Sequence, residues 1–290
     1  MLSVYAMRRQ FIMQTTGLTD LFRSVPASYP PTIALIDGAV DATHPALAGT
    51  SVQSDGPSRR DRSSRHATAM ASVVLGRPPA LGACRGAQLL AFDAVDDDAL
   101  QGSLHPAKVA SRIAGRIIRA CDQAVKVIVL GFEFLEDSRP FVAPLMAALE
   151  RVRIQQVAVL TPAGNTPRSY SHPLLSHPNM FPVASAADTG EPDSDAAWGP
   201  LIAKGFLAPG LNVPVAASND EVKLASGSSF ATALVGSVCA ALLARLPQTP
   251  ATAVCRAMRI SGQRGSLTVP PSINACSAYR TVISRLEYAA

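Results

Sequence analysis

The sequence lacks several features that would mark a specialised class of protein. Its five cysteines are odd in number and widely spaced, and no CxxC pair occurs, so neither a zinc site nor a thioredoxin-like motif is predicted. No apolar run reaches about 18 residues, so we expect no membrane span. A net charge of +5 over 290 residues does not by itself indicate nucleic-acid binding. Such cysteine usage is typical of a reducing compartment, so we expect a cytoplasmic location.

The chain shows no internal boundary. No Ser/Gly-rich linker or long charged run divides it, and its hydrophobic content of 48% is enough for one large core. Residues 1–30, which end in a proline-rich stretch, are predicted to form a loosely organised N-terminal lead-in. Residues 31–290 are predicted to form a single domain.

Short apolar runs alternate with segments of helical spacing. The predicted strands are 32–36, 88–92, 125–131, 156–160 and 181–186. The predicted helices are 66–76, 107–121, 143–152, 231–246, 251–261 and 279–286. Strands that alternate with helices favour an α/β fold of three layers, in which a mostly parallel sheet is covered by helices on both faces.

Three polar residues stand at the ends of these elements. Asp37 follows the first apolar run, and open α/β sheets carry functional groups at that end of a strand. His66 begins a helix of small residues. Ser229 lies in the first turn of an apolar helix, where unpaired N–H groups and the helix dipole favour negative charge. Each residue also has an ordinary interpretation, as a turn aspartate, a structural histidine and a helix cap.

Together the three residues indicate more than each does alone. Hydrolysis by a serine requires a nucleophile, a base that takes its proton and a carboxylate that orients the base. It also requires donors for an oxyanion, and the side-chain amide of Asn165, after the fourth predicted strand, could supply one. With Ser229 reserved for chemistry, the helix cap is expected to be Ser228 or the backbone alone.

The segments around these residues resemble the motifs of the subtilisin-like serine peptidases, the subtilases. The similar segments are 33–41, 66–71, 163–165, 207–210 and 226–232, in the family's order. The resemblance implies a seven-stranded, mostly parallel sheet. It also implies that Asp37 orients the base, His66 is the base, Ser229 is the nucleophile and Asn165 donates to the oxyanion.

Within the family, the chain is similar to the PatA/PatG-type peptidases of cyanobactin and related ribosomal-peptide pathways. The segments that carry this likeness are Leu35–Gly38, Gly82–Gly86 and Ser226–Thr232. The likeness implies a serine endopeptidase that processes a ribosomally made precursor peptide, with biosynthetic enzymes as partners and no cofactor or metal. It leaves open whether the acyl-enzyme passes to water or to an amine in a macrocyclisation.

The chain departs from the family pattern at several positions. Ala67 replaces a glycine and would add a methyl group beside the cleft, Ala69 replaces a second histidine, and Ala233 replaces a proline. These departures, together with the unusual segment 130–134, motivate an alternative hypothesis, a subtilase-fold module that binds a precursor peptide or a partner enzyme without cutting it. An α/β-hydrolase esterase fits less well, because Gly227–Ala231 lacks the closing glycine of a nucleophile elbow.

The residues that contact substrate are predicted from position alone. The usual Ser-Leu-Gly strand is not evident, and the predicted substrate-binding residues are Leu130, Gly131, Phe132, Ala163 and Gly164. Four arginines, at 59, 60, 62 and 65, are interpreted either as a solvated loop or as a cluster that attracts an acidic substrate segment.

Two further expectations concern the acidic run and the length of the lead-in. Asp96–Asp98 lacks the spacing of an EF-hand, so a solvated acidic turn is favoured over a calcium site. Because about 30 residues are too few for a folding pro-domain, we expect an intracellular enzyme that needs no pro-domain removal.

Overall fold

A twisted sheet of parallel strands forms the centre of the molecule. The computed structural model describes residues 3–57, 59, 61–101, 103–134, 136–263 and 267–287. The strands are β1 (Thr32–Asp37), β2 (Ser51–Ser54), β3 (Gln88–Asp93), β4 (Val127–Leu130), β5 (Ala158–Pro162), β6 (Met180–Ala186) and β7 (Phe206–Pro209). All seven pair in parallel in the order β2-β3-β1-β4-β5-β6-β7, which confirms the predicted fold class.

Helices cover both faces of this sheet. They are α1 (Val4–Thr15), α2 (Leu18–Ser24), α3 (Arg62–Leu75), α4 (Asp97–Leu100), α5 (Pro106–Asp122), α6 (Ala143–Ile154), α7 (Ser228–Leu243), α8 (Ala251–Ser261) and α9 (Ala275–Glu287). Alternate residues of β1 enter different cores because side chains alternate along a strand. Ile33 and Leu35 pack with α3 and α7, whereas Ala34 and Ile36 pack with α5 and α6.

Helix α7 is the buried centre of one layer. Every residue from Ser228 to Leu243 is buried, as expected for a helix that is apolar all round. It lies against β4, β5, β6 and β7. Gly236 allows this close approach, since a Cβ atom there would lie 2.5 Å from Cγ2 of Val129. The first turn of α7 is therefore held at a fixed position relative to the sheet.

An antiparallel hairpin leads into α7. Its strands are β8 (Val213–Ala216) and β9 (Val222–Ala225), and the sequence pattern did not predict them. The edge strand β2 and the strand β7 were not predicted from apolar runs either. β2 is polar and alternates between exposed and half-buried residues, so it carries no continuous apolar signal.

The N-terminal lead-in is helical, so the prediction that residues 1–30 are loosely organised is wrong. Helices α1 and α2 bury Ile12, Leu18 and Leu21 completely, in the same core as α7. Ser3 caps α1 by accepting a hydrogen bond from the N–H of Ala6. The apolar residues of this stretch are too few and too widely spaced to signal burial until the rest of the core is present.

Within the described ranges, no helix combines the length and the apolarity that a membrane span requires.

The packing of α2 predicts that the lead-in contributes to the cooperative stability of the molecule. Leu21→Ala is expected to lower the free energy of unfolding by about 2–5 kcal/mol, because it leaves a cavity in the main core. Val4→Ala is the matched control: Val4 is 50% exposed on α1, and its loss is expected to cost no more than about 0.5 kcal/mol. Urea denaturation measures both. Equal, small effects would show that the lead-in is not part of the cooperative core.

Candidate active site

The three residues singled out in the sequence meet at the carboxyl edge of the sheet. Asp37 is the last residue of β1, His66 lies in the second turn of α3, and Ser229 lies in the first turn of α7. Helix α3 begins earlier than predicted, at Arg62, because Asp61 caps it by accepting a hydrogen bond from the N–H of Ser64 at 2.7 Å. The polar first turn carries no apolar periodicity, so the pattern did not reveal it.

The three side chains form a continuous line of hydrogen bonds. Nδ1 of His66 lies 2.7 Å from Oδ2 of Asp37, and Nε2 of His66 lies 3.0 Å from Oγ of Ser229. The side chain of Asp37 is 6% exposed, whereas that of His66 is 33% exposed. A carboxylate on Nδ1 favours the tautomer in which Nε2 accepts, so Nε2 can take the proton of the serine hydroxyl.

Two glycines allow Asp37 to occupy its position. A Cβ atom on Gly131, just after β4, would lie 2.3 Å from Oδ2 of Asp37. A Cβ atom on Gly38 would lie 2.6 Å from the carbonyl group of Ser63 in α3. The ends of β1, β4 and α3 can therefore approach one another only because both positions lack a side chain.

Carboxylates fix the beginning of α3. Oδ1 of Asp97 accepts from the N–H of Ser63 at 2.9 Å, and Oδ2 accepts from the N–H of Arg62 at 3.1 Å. Asp96 caps α4 and also binds Arg112 at 2.8 Å. The prediction of a solvated acidic turn is therefore correct only for the exposed Asp98. In the part of the chain that the structure describes, no three potential metal ligands cluster together.

Asn165 is held beside the serine by the start of α7. Its Oδ1 accepts a hydrogen bond from the N–H of Ser228 at 2.7 Å. A Cβ atom on Gly227 would lie 3.6 Å from both the side-chain nitrogen of Asn165 and Oγ of Ser229. The amide of Asn165 and the hydroxyl of Ser229 therefore border the same small space, in which an oxyanion would have two donors, this amide and the N–H of Ser229.

The expectation that the hydroxyl of Ser228 caps α7 is wrong. The N-cap is Gly227, at φ 155°, with no side-chain cap. The hydroxyl of Ser228 is buried and has no hydrogen-bond partner among the described residues. The N–H groups of the first turn have other acceptors. That of Ser228 donates to the side chain of Asn165, and that of Phe230 donates to the backbone carbonyl of Gly227.

An open cleft of about 300 Å³ surrounds these groups. Of the predicted substrate-binding residues, Gly131, Phe132 and Gly164 line it. Leu130 and Ala163 are completely buried and are not part of its lining, because both pack in the core that lies against α5 and α6.

Glu133 is a further residue of the cleft, beyond the predicted substrate-binding residues. Its carboxylate binds Arg168 at 2.9 Å and lies over Gly164, where a Cβ atom would be 2.5 Å from Oε2 of Glu133. Gly164 also has a φ of 113°, which favours glycine. The position of Glu133 just beyond β4, at the same sheet edge as Asp37, is the signal that could have identified it.

The departures from the family motifs lie away from the cleft. Ala67 and Ala233 are completely buried and Ala69 is 5% exposed, and all three belong to the main core. None of them lines the cleft, so the expectation that Ala67 adds a methyl group beside it is wrong. Their methyl groups belong to the core that α3 and α7 share.

The charges around His66 set its protonation. Burial lowers the pKa of His66, but the charge and the hydrogen bond of Asp37 raise it by more, so that the net pKa is raised. The charge of Arg62, which lines the cleft, opposes this rise. The charged form of His66 is thus favoured by the carboxylate of Asp37 and disfavoured by the guanidinium of Arg62.

The arginine cluster divides into different roles. Arg59 forms two hydrogen bonds with the carboxylate of Asp93, at 2.7 and 2.8 Å, and a third with Asp61. It therefore links the end of β3 to the start of α3. Arg62 and Arg65 are exposed, and only Arg62 lines the cleft. Arg60 lies outside the described residues. The interpretation that the cluster attracts an acidic segment stays a prediction for Arg62 and Arg65.

The fold and the hydrogen-bonded line together define a serine peptidase with a subtilisin-like α/β architecture. The sequence profile of the subtilase family matches residues 30–261, and the chain belongs to this family. Membership makes the protein a serine endopeptidase, as the resemblance of its motifs predicted. No curated protein sequence matches the chain.

Solved structures of similar fold include maturation proteases. The prenylagaramide maturation protease PagA is 24% identical, with a TM-score of 0.80 over 92% of this chain and 98% of its own. The self-cleaved protease domain of PatA is 25% identical, with a TM-score of 0.76 over 89% and 98%. The PatG macrocyclase in complex with peptide is 18% identical, with a TM-score of 0.76 over 93% and 96%. The resemblance to PatA/PatG-type proteins is thereby confirmed.

The contact between Gly131 and Asp37 predicts a site-specific defect. Gly131→Ala would push the carboxylate away from His66, and a displacement of about 1 Å costs on the order of 10²-fold in rate. The rate of covalent labelling by a fluorophosphonate probe measures the loss. The matched control is Gly115→Ala in α5, where a Cβ atom meets nothing within 4 Å. It should keep the labelling rate and gain about 0.5–1 kcal/mol of stability. Unchanged labelling of Gly131→Ala would contradict the packing argument.

The charge of Arg62 predicts a shift in the titration of His66. Because Arg62 disfavours the charged imidazole, Arg62→Gln should raise the pKa of His66 and move the acid limb of the labelling rate to higher pH. An NMR titration of the histidine ring protons measures the same pKa independently of activity. Arg65→Gln is the matched control, since Arg65 is also exposed on the first turns of α3 but does not line the cleft. A downward shift, or equal shifts in both variants, would refute the assignment.

Proposed function

We propose that this serine endopeptidase uses Asp37, His66 and Ser229 as its catalytic triad and processes a precursor peptide made on the ribosome. The observation that carries the proposal is the hydrogen-bonded line from Asp37 through His66 to Ser229, with distances of 2.7 and 3.0 Å. A cap on α7 or a structural histidine would need neither the carboxylate nor this alignment.

The chemistry follows from the positions of the donors and acceptors. Nε2 of His66 takes the proton of Ser229 while Oγ forms a bond to the scissile carbonyl carbon. The carboxylate of Asp37 stabilises the imidazolium that results. The carbonyl oxygen, now negative, lies at the first turn of α7, where the N–H of Ser229 and the side-chain amide of Asn165 donate to it. His66 then gives its proton to the leaving amine, and an acyl-enzyme remains on Ser229.

The second half of the reaction returns the enzyme to its starting state. A water molecule or an amine enters where the first product left and gives a proton to Nε2 of His66 as it attacks the acyl carbon. The bond to Oγ breaks, and Ser229 recovers the proton from His66. Water gives hydrolysis, and the amino end of the same peptide would give a macrocycle. The side chains of the described cleft serve both routes, so the outcome depends on whether water or the amine occupies the place that the first product leaves.

Asn165 is proposed as the oxyanion donor because its orientation is fixed. Its Oδ1 is occupied by the N–H of Ser228, which leaves its NH₂ group to donate to a substrate oxygen beside Ser229. Donors that are already oriented cost no reorganisation during the reaction, and one such donor typically contributes on the order of 10²–10³-fold in rate.

The substrate class is proposed from the open cleft and from similar proteins. An extended peptide fits an open cleft at a sheet edge, and the similar structures include two maturation proteases and a macrocyclase bound to peptide. We further propose a cytoplasmic enzyme that works beside the biosynthetic enzymes of the same peptide. The five cysteines are all free thiols, as a reducing compartment would keep them.

A module that binds peptide without cutting it is the competing function. It was motivated by the substituted positions Ala67, Ala69 and Ala233 and by the unusual segment 130–134. The three alanines pack in the core and not in the cleft, so they no longer favour it. Residues 131–133 do line the cleft, so a measurement of peptide cleavage has to separate the two functions.

A fluorophosphonate probe tests the nucleophile. The wild-type protein should be labelled, and Ser229→Ala should not, because loss of a triad member typically reduces the rate on the order of 10⁴–10⁶-fold. Ser226→Ala is the matched control: Ser226 is exposed and outside the cleft, where its hydroxyl accepts from the N–H of Asn212. Equal labelling of wild type and Ser229→Ala would refute the assignment. Mass spectrometry of a peptide library digested by unlabelled wild-type protein then reports cleavage. Peptides that stay intact with a protein that the probe can label would contradict peptidase action.

The role of Asn165 is tested separately. Asn165→Ala should reduce kcat on a library-derived peptide on the order of 10²–10³-fold while KM changes little, because the amide acts on the oxyanion and not on the bound peptide. A rise in KM with an unchanged kcat would instead place Asn165 in peptide binding.

A further inference from the structure

A second cleft, of about 620 Å³, lies at the other end of the strands from the triad, beside the beginning of β1. Its walls are Arg9 and Met13 of α1, Phe22 of α2, the loops 27–31 and 82–86, and the end of α7. Residues 9–29 lie outside the part of the chain that the subtilase profile matches, which begins at residue 30. The cleft therefore depends on the lead-in as well as on the peptidase domain.

The second cleft is remote from the triad. Pro30 and Pro31 precede β1, whereas Asp37 ends it, and Ala244 follows α7, whereas Ser229 is in its first turn. At about 1.5 Å per residue, α7 separates the two sites by roughly 20 Å. The cleft cannot be an extension of the site already described.

The described lining of this cleft is basic. It contains three arginines and no aspartate or glutamate. The guanidinium of Arg245 is engaged: it donates to the carbonyls of Val25 and Ala241, at 2.6 and 2.8 Å, and stacks 5.0 Å from the ring of Phe22. Its charge is therefore directed toward protein groups.

Two further guanidiniums are left for a ligand. Arg9 donates from Nε to the carbonyl of Leu81 at 2.9 Å, and its terminal nitrogens have no partner among the described residues. Arg85 is exposed and likewise makes no hydrogen bond or ion pair within the described chain. Its stem is nevertheless held, because Gly82 (φ 55°) lets Cγ of Arg85 lie where a Cβ atom would be only 2.8 Å away.

The two arginines repel each other. Burial, and then the charge of Arg85, lower the pKa of Arg9. Their positions are set by neighbouring residues, since Arg9 donates to the carbonyl of Leu81 and Cγ of Arg85 lies against Gly82. Two like charges on one cleft, with no carboxylate in its described lining, form a site that an anion stabilises, because each guanidinium then gains charge-assisted hydrogen bonds. A carboxylate that bridges Arg9 and Arg85 would satisfy both.

The remaining walls are apolar and suit a peptide. Phe22 and Tyr29 are each 38% exposed, and they stand beside Met13 and the prolines at 30 and 31. Aromatic-lined grooves bind extended peptides in several recognition domains. Cys84 also lies in the wall, but burial raises the pKa of its thiol to about 12, so it stays protonated and unreactive.

We propose that this cleft binds an acidic segment of the peptide substrate, outside the stretch that is cleaved, with a carboxylate between Arg9 and Arg85 and an apolar neighbour against Phe22 and Tyr29. The inference rests on the proposed function only in taking the segment to belong to the substrate. Binding itself requires no cleavage, so it is measured with the Ser229→Ala protein.

The probe is a fluorescein-labelled peptide of alternating glutamate and leucine, and fluorescence anisotropy measures its Kd. In the Ser229→Ala background, Arg9→Gln and Arg85→Gln should each weaken binding about tenfold or more, since each removes charge-assisted hydrogen bonds. Arg256→Gln is the matched control, because it removes an exposed arginine of α8 that does not line the cleft. A peptide with glutamine in place of glutamate should bind at least tenfold more weakly, and salt should weaken the glutamate peptide.

Three results would overturn the proposal. Equal binding to Arg85→Gln and to Arg256→Gln would exclude the cleft, equal binding of the glutamine peptide would exclude recognition of carboxylates, and displacement by equimolar inorganic phosphate would indicate a small-anion site. Arg85 is exposed, so its variant tests the cleft even if Arg9→Gln fails to fold. Because probe binding and fluorophosphonate labelling are measured separately, failure of one does not imply failure of the other.

Discussion

The contact between the carboxylate of Asp37 and the imidazole of His66 is the constraint on which the rest of the active site depends. It requires the ends of β1 and β4 and the second turn of α3 to meet at one point. No side chain fits at Gly38 or Gly131 without displacing the backbone of α3 or the carboxylate itself. Because the first turn of α3 is fixed by Asp61 and Asp97, the imidazole cannot follow a displaced carboxylate. The relative positions of Asp37 and His66 are thus set by close packing at the two glycines together with the carboxylates that fix the start of α3.

The sequence predicted which side chains meet at the site better than it predicted the local structure around them. The order of Asp37, His66 and Ser229 and the positions of strand ends were enough to bring these side chains to one sheet edge, because parallel strands end on the same side. The cap of α7 was not predictable. The hydroxyl of Ser228 was favoured by propensity, but the partner that serves this turn, Asn165, lies far away in the chain. Tertiary contacts of this kind leave no signal in the neighbouring residues.

The lead-in and the edge strands were missed for a related reason. An amphipathic helix in a small N-terminal segment gains most of its stability from packing and little from its own sequence. Leu18 and Leu21 are completely buried in the main core, and α2 packs against α1 and α9. β2 and the β8–β9 hairpin were missed for the same reason. Their short, partly polar sequences give a weak strand signal, and these strands are stabilised by pairing with their neighbours. The burial of Ala67 and Ala233 shows the converse, because residues that look like altered site positions in the sequence are core positions in the structure.

Helix α7 relates the two clefts through the charges at its ends. At its first turn, the unpaired N–H groups and the positive end of the dipole favour the negative oxygen formed at Ser229. At its last turn, the carbonyls would repel an anion. These carbonyls are occupied, since Ala241 accepts from Arg245, Leu243 from the hydroxyl of Tyr29, and Ala244 from the N–H of Ser28. The partial negative charge of the last carbonyls of α7 is thereby offset by donors that also line the second cleft. The charges of Arg9 and Arg85 consequently face the second cleft without a competing acceptor from the helix, which is why a site for a carboxylate is compatible with a position beside a helix C-terminus.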